Sequence, residues 1–169
     1  MMNLISSNQK AVIKKRGIAL LVTLIFMSVM LSLGLALAAL GYKQSVLAST
    51  AVESQYAFYA ADAALECVLY ADQQQQAFLY ATHSGSNQPA ATVCDSTAAS
   101  VTSYTYDATR LVFVERMSLD AGARCADVTI YKRADGRSYL FAQGYNVSCT
   151  TLNNPNGARI ASRGLDVHY

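Results

Sequence analysis

Three patterns of apolar and polar positions succeed one another along the chain. The first is continuous: Ile18 to Tyr42 holds 25 residues and no charged side chain. A bilayer core about 30 Å thick takes about 20 helical residues at 1.5 Å each, so this run predicts a transmembrane helix. The second pattern has the helical period. Phe58, Ala61, Leu65 and Leu69 share one face, Gln55, Tyr59, Asp62 and Glu66 form a polar stripe, and Ala57, Ala60, Ala64 and Cys67 a small-residue face. No glycine lies between Gly41 and Gly85, and the first proline is Pro89. One helix is therefore predicted from Ile18 to about Asp72, roughly 80 Å long, half in the membrane and half packed on a domain.

The third pattern alternates with period two. The stretches Ser103–Tyr106, Arg110–Glu115, Ala126–Tyr131, Ser138–Gln143 and Ile160–His168 are β-branched and aromatic runs bounded by turn residues. Asp135-Gly136 reads as a two-residue type I′ hairpin turn, and Asn154-Pro155-Asn156-Gly157 as the next turn. A long helix followed by a three- to five-stranded antiparallel meander is an α+β fold. The expected organisation is a basic leader at 1–17, a transmembrane helix at 18–42 and its extracytoplasmic continuation at 43–72. A loop region at 73–102 and an antiparallel β domain at 103–169 follow.

Composition sharpens this picture. Apolar residues make up 53% and charged residues 14%, against about 45–50% and 25% in soluble domains. A disordered chain is excluded, and an ordinary cytosolic enzyme does not fit. The formal charge of +2 makes no case for nucleic acid as a partner, because four of the thirteen basic residues (Lys10, Lys14, Lys15, Arg16) precede the apolar run. From Ile18 onward nine basic residues face eleven acidic ones. The basic cluster on the N-terminal side of the apolar run places the N-terminus in the cytoplasm and the body outside.

Four cysteines, Cys67, Cys94, Cys125 and Cys149, all lie beyond the apolar run and form no CxxC pair. On the extracytoplasmic side they predict two disulfides; four buried thiols are the alternative. Cys67–Cys94 with Cys125–Cys149 is preferred over the other two pairings. The Asp135-Gly136 turn, with Ala134 opposite Arg137, sets Cys125 against Asn146, about 10 Å short of Cys149. A bulge at Gly144 would recover part of that offset.

No catalytic or metal-binding constellation is legible, and nothing implies a cofactor. His83 and His168 lack ligand spacing and read as exposed polar residues. Asp62 and Glu66, one helical turn apart, read as a solvated face or a partner-binding stripe. Asn146-Val147-Ser148 matches a glycosylation sequon by pattern alone. Eleven tyrosines suit strand packing and protein-binding surfaces.

The junction Lys14-Lys15-Arg16-Gly17 followed by Ile18-Ala19-Leu20-Leu21-Val22 resembles the prepilin leader of type IV pilins and type II secretion pseudopilins. In addition, Ala57-Phe58-Tyr59-Ala60-Ala61-Asp62-Ala63-Ala64-Leu65-Glu66 is similar to the stretch found in PilX-type minor pilins and K-type pseudopilins. The resemblance covers roughly Arg16 to Glu66. It implies cleavage by a prepilin peptidase between Gly17 and Ile18, leaving 152 residues, and N-methylation of Ile18. It also implies a pilin-like fold, a bacterial inner membrane and, as partners, other pilin-like subunits and an assembly platform.

One departure from the major pilins matters. Their fifth mature residue is usually Glu, whereas here it is Val22. A lone carboxylate in hydrocarbon costs about 2.5–3.5 kcal/mol, so a subunit without a partner ammonium is better served by an apolar side chain. The resemblance thus implies a minor structural subunit, at a tip or in an initiation complex, with Asp62 and Glu66 as possible subunit contacts. The competing reading treats Gly17 as a plain helix boundary. The protein is then a single-pass membrane-anchored extracytoplasmic binding protein with a helical stalk.

Overall fold

The computed structural model describes residues 18–83 and 87–169, with the helical backbone alone for residues 4–17. The leader cluster Lys14, Lys15 and Arg16, and the Gly17 side of the expected junction, lie outside the described residues. The chain divides into two compact units, Met1–Ala48 and Ser49–Tyr169. A single α-helix, α1, runs over Leu4–Gln75 and supplies residues to both.

In the first unit α1 carries the apolar run. It is long and apolar enough to cross a membrane, and none of that window is buried.

In the second unit the rest of α1 lies on a five-stranded antiparallel sheet. The strands are β3 (Ser100–Tyr106), β4 (Arg110–Leu119), β5 (Arg124–Arg133), β6 (Ser138–Tyr145) and β7 (Ser162–His168), in sequential order. Before them stands a two-residue hairpin, β1 (Val93–Cys94) with β2 (Thr97–Ala98). A short helix, α2 (Cys149–Asn153), connects β6 to β7. The fold is α+β, a long helix followed by an antiparallel meander.

The helix meets the sheet through its smallest side chains. Ala57, Ala60, Ala61, Ala64, Val68 and Ala71 are buried, while Phe58 faces outward. Small residues let the helix backbone approach the strands closely. Strand β4 alternates strictly, sending Leu111, Phe113, Glu115, Met117 and Leu119 inward. Val128, Ile130, Leu140 and Ala142 complete the core from β5 and β6. The helix ends where four glutamines meet solvent. Gln76 turns left-handed at φ 55°, Ala77 N–H bonds back to Ala71 O at 3.1 Å, and Phe78 buries itself 5.5 Å from the Phe113 ring.

The β5–β6 turn differs from the sequence expectation. Lys132 pairs with Ser138 and Cys125 with Tyr145, a register one residue away from the type I′ arrangement. Arg133 N–H donates to Arg137 O at 2.9 Å and Gly136 N–H to Arg133 O at 3.0 Å, and only Gly136 is left-handed, at φ 89°. This is a three-residue loop, which needs one left-handed residue where type I′ needs two. Core matching selects it: Val128 stands beside Ala142 and Ile130 beside Leu140, whereas a one-residue slip would bring outward residues opposite them.

Gly144 is not a bulge; it pairs regularly with Ala126. The offset to Cys149 is covered instead by residues 146–148 and the first turn of α2, whose N-cap Ser148 accepts from Thr151 N–H at 3.1 Å. The second unit holds two disulfides, Cys67–Cys94 and Cys125–Cys149, with Cα separations of 6.2 and 4.8 Å.

Candidate functional site

The first candidate surface is the apolar segment itself. Ile18 is 64% and Val22 57% exposed, and the large side chains from Leu20 to Tyr42 are exposed throughout. Its few hydroxyls are turned onto their own helix. Thr23 donates to Leu20 O, Ser28 to Ile25 O and Ser32 to Val29 O, each at 2.8 Å. A hydroxyl satisfied by the backbone one turn earlier presents little polarity to a hydrocarbon solvent or a neighbouring helix. Around Gly34 and Gly41 an added Cβ would meet nothing within 4 Å. Residues 18–42 are exposed on every side of the helix.

The second candidate surface is the outward stripe of α1 in the second unit. Tyr59, Glu66 and Tyr70 are exposed there and Asp62 is half-buried. The structure brings Asp62 and Glu66 onto one outward face, one turn apart. Beside the stripe lies a cleft of about 250 Å³ between Tyr56, Tyr59 and Ala63 of the helix and the turn residues Asp95 and Asp120. The Arg124 guanidinium stacks 4.0 Å from the centre of the Tyr56 ring and donates to Asn146 O at 3.1 Å.

Four polar clusters stand within the second unit. At the far end of α1, Lys132 Nζ and the Tyr169 hydroxyl both donate to buried Asp72 Oδ2, and Lys132 also reaches Ser138 Oγ at 2.7 Å. Burial, then the bond to Asp72, pushes the Tyr169 hydroxyl well above the usual phenol range. In the core, Glu115 accepts from Thr92 N–H at 3.0 Å and from Thr92 Oγ1 at 2.5 Å, which pins the 87–92 segment. Desolvation raises the Glu115 carboxyl above its ordinary value, opposed by the Thr92 bonds. On the outer face, Arg116 grips Asp127 through two bonds of 2.6 and 2.9 Å and reaches Asn153 Oδ1 at 2.5 Å. At the β3–β4 turn, hydrogen bonds from Thr109 and Arg110 hold the Asp107 carboxyl down at about 2.

His83, expected from the sequence to be exposed, is not fully so. Its ring is half-buried, with Nε2 3.0 Å from Ala77 O and Nδ1 3.2 Å from Asn87 O, so it braces the end of α1 against the following loop. His168 lies 3.1 Å from Asp166 on the outer face of the sheet. Among the described residues no three His, Cys, Asp or Glu side chains are grouped to hold a metal ion. Glu115 and Asp72 were missed in the sequence; the available signal for Glu115 was a carboxylate at an inward position of an alternating strand.

No family model, no curated protein and no solved structure matches this chain, so its functional reading rests on its own residues and geometry.

Proposed function

We propose that the chain is a minor pilin-like or pseudopilin-like structural subunit of a type IV pilus or type II secretion-like filament, at the tip or in the initiation complex. One observation carries the reading: an uncharged helical segment, exposed along its whole length and with its hydroxyls turned inward, leads into a helix docked on a disulfide-bonded meander. Such a segment is stable in two solvents, the bilayer and a bundle of like helices. A subunit that moves from one to the other needs both.

Val22 supports the minor role. A carboxylate five residues into the mature helix is tolerable in an apolar bundle only when a neighbour's ammonium meets it. Valine adds no such requirement, so this subunit can begin or cap a filament. It also lacks the charge that would order a long run of identical copies. Asp62, Glu66 and the tyrosines around them are the contacts offered to other minor subunits, and the processing partners are a prepilin peptidase and an inner-membrane assembly platform. Quantitative mass spectrometry of purified filaments tests this: the reading expects a low-copy component, and finding the chain as the most abundant pilin overturns it.

A further inference from the structure

In the second unit, α1 and two turns of the sheet enclose an apolar groove of about 250 Å³. Tyr56, Tyr59, Ala60 and Ala63 of the helix and Leu119 of β4 line it, and the Asp95 and Asp120 turns form its far wall. That wall is fixed to the helix. The Cys67–Cys94 disulfide ties β1 to α1 one turn beyond Ala63, and Asp95 Oδ2 accepts from Ala121 N–H at 3.3 Å, joining one turn to the other. The rim stays open: Tyr59 is 64% exposed, and Ala63 is exposed between it and Glu66.

We propose that this groove receives a helix of another subunit, which inserts one large apolar side chain over Ala63 and brings lysines or arginines against the surrounding carboxylates. The proposal rests on the reading of Asp62 and Glu66 as a subunit contact and names what the other side of that contact carries.

Charge identifies the partner. Asp95 and Asp120 stand on one side of the groove, and Asp62 and Glu66 on the helix stripe beside it. None of the four takes part in a salt bridge among the described residues. The basic residue lining the groove, Arg124, is already engaged, with its guanidinium over the Tyr56 ring and a bond to Asn146 O at 3.1 Å. The rim is therefore net negative and complementary to a cationic face. A second copy presenting the same stripe would set carboxylates against carboxylates.

Geometry selects a helix. An extended peptide draws its affinity from backbone hydrogen bonds to a strand edge. Here one side is α1, whose backbone bonds are used in its own turns, and the other is a pair of tight turns. A helix arrives with its backbone satisfied and places cations one turn apart, the spacing of Asp62 and Glu66. Ala60 and Ala63 leave the room for a single apolar anchor, ringed by charge.

The test titrates the full chain, in non-ionic micelles with both disulfides intact, against a labelled alanine-based helical peptide. The peptide carries one Phe, with a Lys one turn before and after it. Anisotropy reads binding, and a micelle-only titration subtracts partitioning. Peptides with Ala for Phe, Glu for both Lys, or a central Pro serve as comparisons. The expected result is saturable binding of the parent peptide, weakened about tenfold or more by each peptide change and by Asp62→Asn/Glu66→Gln or Ala63→Gln in the protein. Binding also falls as salt rises from about 0.1 to about 1 M, where the screening length drops from about 10 to 3 Å. Asp166→Asn, the same charge change on the outer face of the sheet, retains full binding.

No binding of the parent peptide, or equal binding of any comparison peptide, overturns the proposal. So does an undiminished groove variant, or a dimer of the chain that the peptide dissociates. The two readings fail separately. A chain methylated at Ile18 that ignores the peptide fails this proposal alone, and a chain with an intact leader that binds it fails only the filament reading.

Discussion

A Cβ placed on Gly144 would stand 2.2 Å from the carbonyl oxygen of Ala57, and 2.3 Å from the amide nitrogen of Ala61. Both neighbours are backbone atoms of α1, so neither can swing aside. This contact sets how closely the helix lies on β6, and only glycine permits it. Gly144→Ala should destabilise the body by about 3 kcal/mol, at the upper end of overpacking costs. Urea denaturation with tyrosine fluorescence checks this; Gly34→Ala, with open space around it, should leave the same transition unmoved.

Lys132 and Asp72 are a buried pair, with side chains only 12% and 2% exposed. Lys132→Met leaves Asp72 charged and buried, keeping only the Tyr169 hydroxyl bond, and should cost about 3–5 kcal/mol. Adding Asp72→Leu removes the uncompensated charge and should restore most of the loss. A double-mutant cycle by thermal melting measures the recovery, and additive losses would contradict the pairing.

Glu115 sets a pH dependence. Burial holds its folded carboxyl above its ordinary, unfolded value. The folded state therefore holds the proton more tightly. That contribution to stability is complete below the unfolded value and is lost as pH rises through the raised folded value. Glu115→Gln, which can still bond both Thr92 groups, should remove this slope and gain on the parent as pH rises. Glu115→Ala should lose stability at every pH, because it leaves Thr92 unpaired in the core. Melting temperatures of the three proteins across pH 4 to 8 distinguish these cases.

The disulfides close loops with sequence separations of 27 and 24 residues. Each should contribute about 2–4 kcal/mol, chiefly by restricting the unfolded chain. Thiol labelling of denatured, unreduced protein from the membrane fraction should find almost none. Cys125→Ser/Cys149→Ser should lower the melting temperature and loosen α2 first, since Cys149 is its opening residue.

Much of the fold is legible because the elements that carry it are long or strictly periodic. The uncharged run after Gly17 reads as one long apolar helix, and the alternation through Leu111, Phe113, Ile130 and Leu140 as strands with one buried face. The parts that escaped are those where sequence leaves a tie. Asp135-Gly136 suits a two-residue and a three-residue turn alike, and only the match of Val128 to Ala142 decides between them. Gly144 has the signature of a bulge, yet its small size serves a contact with a helix 83 to 87 residues earlier in the chain, around Ala57 and Ala61. Hairpin β1–β2 and helix α2 are too short to show a period, although Ser148 three residues before Thr151 is a legible N-cap. Which helix face meets the sheet was equally open: the alanine face packs and Phe58 faces outward, because close approach buries more backbone than large side chains would permit. Of the candidate site, Asp62 and Glu66 were legible as a stripe from spacing alone. The groove beside the stripe was not, since it exists only where the Asp95 and Asp120 turns meet the helix.

The proposed role makes the exposed apolar helix part of a processed filament subunit. The most direct test is intact-protein and N-terminal peptide mass spectrometry of the chain recovered from membranes containing a prepilin peptidase. A processed subunit will be a mature chain that begins at Ile18 and carries one methyl group on its amine, with Gly17→Trp accumulating as unprocessed precursor. An intact leader through Gly17, or normal processing of Gly17→Trp, would contradict it.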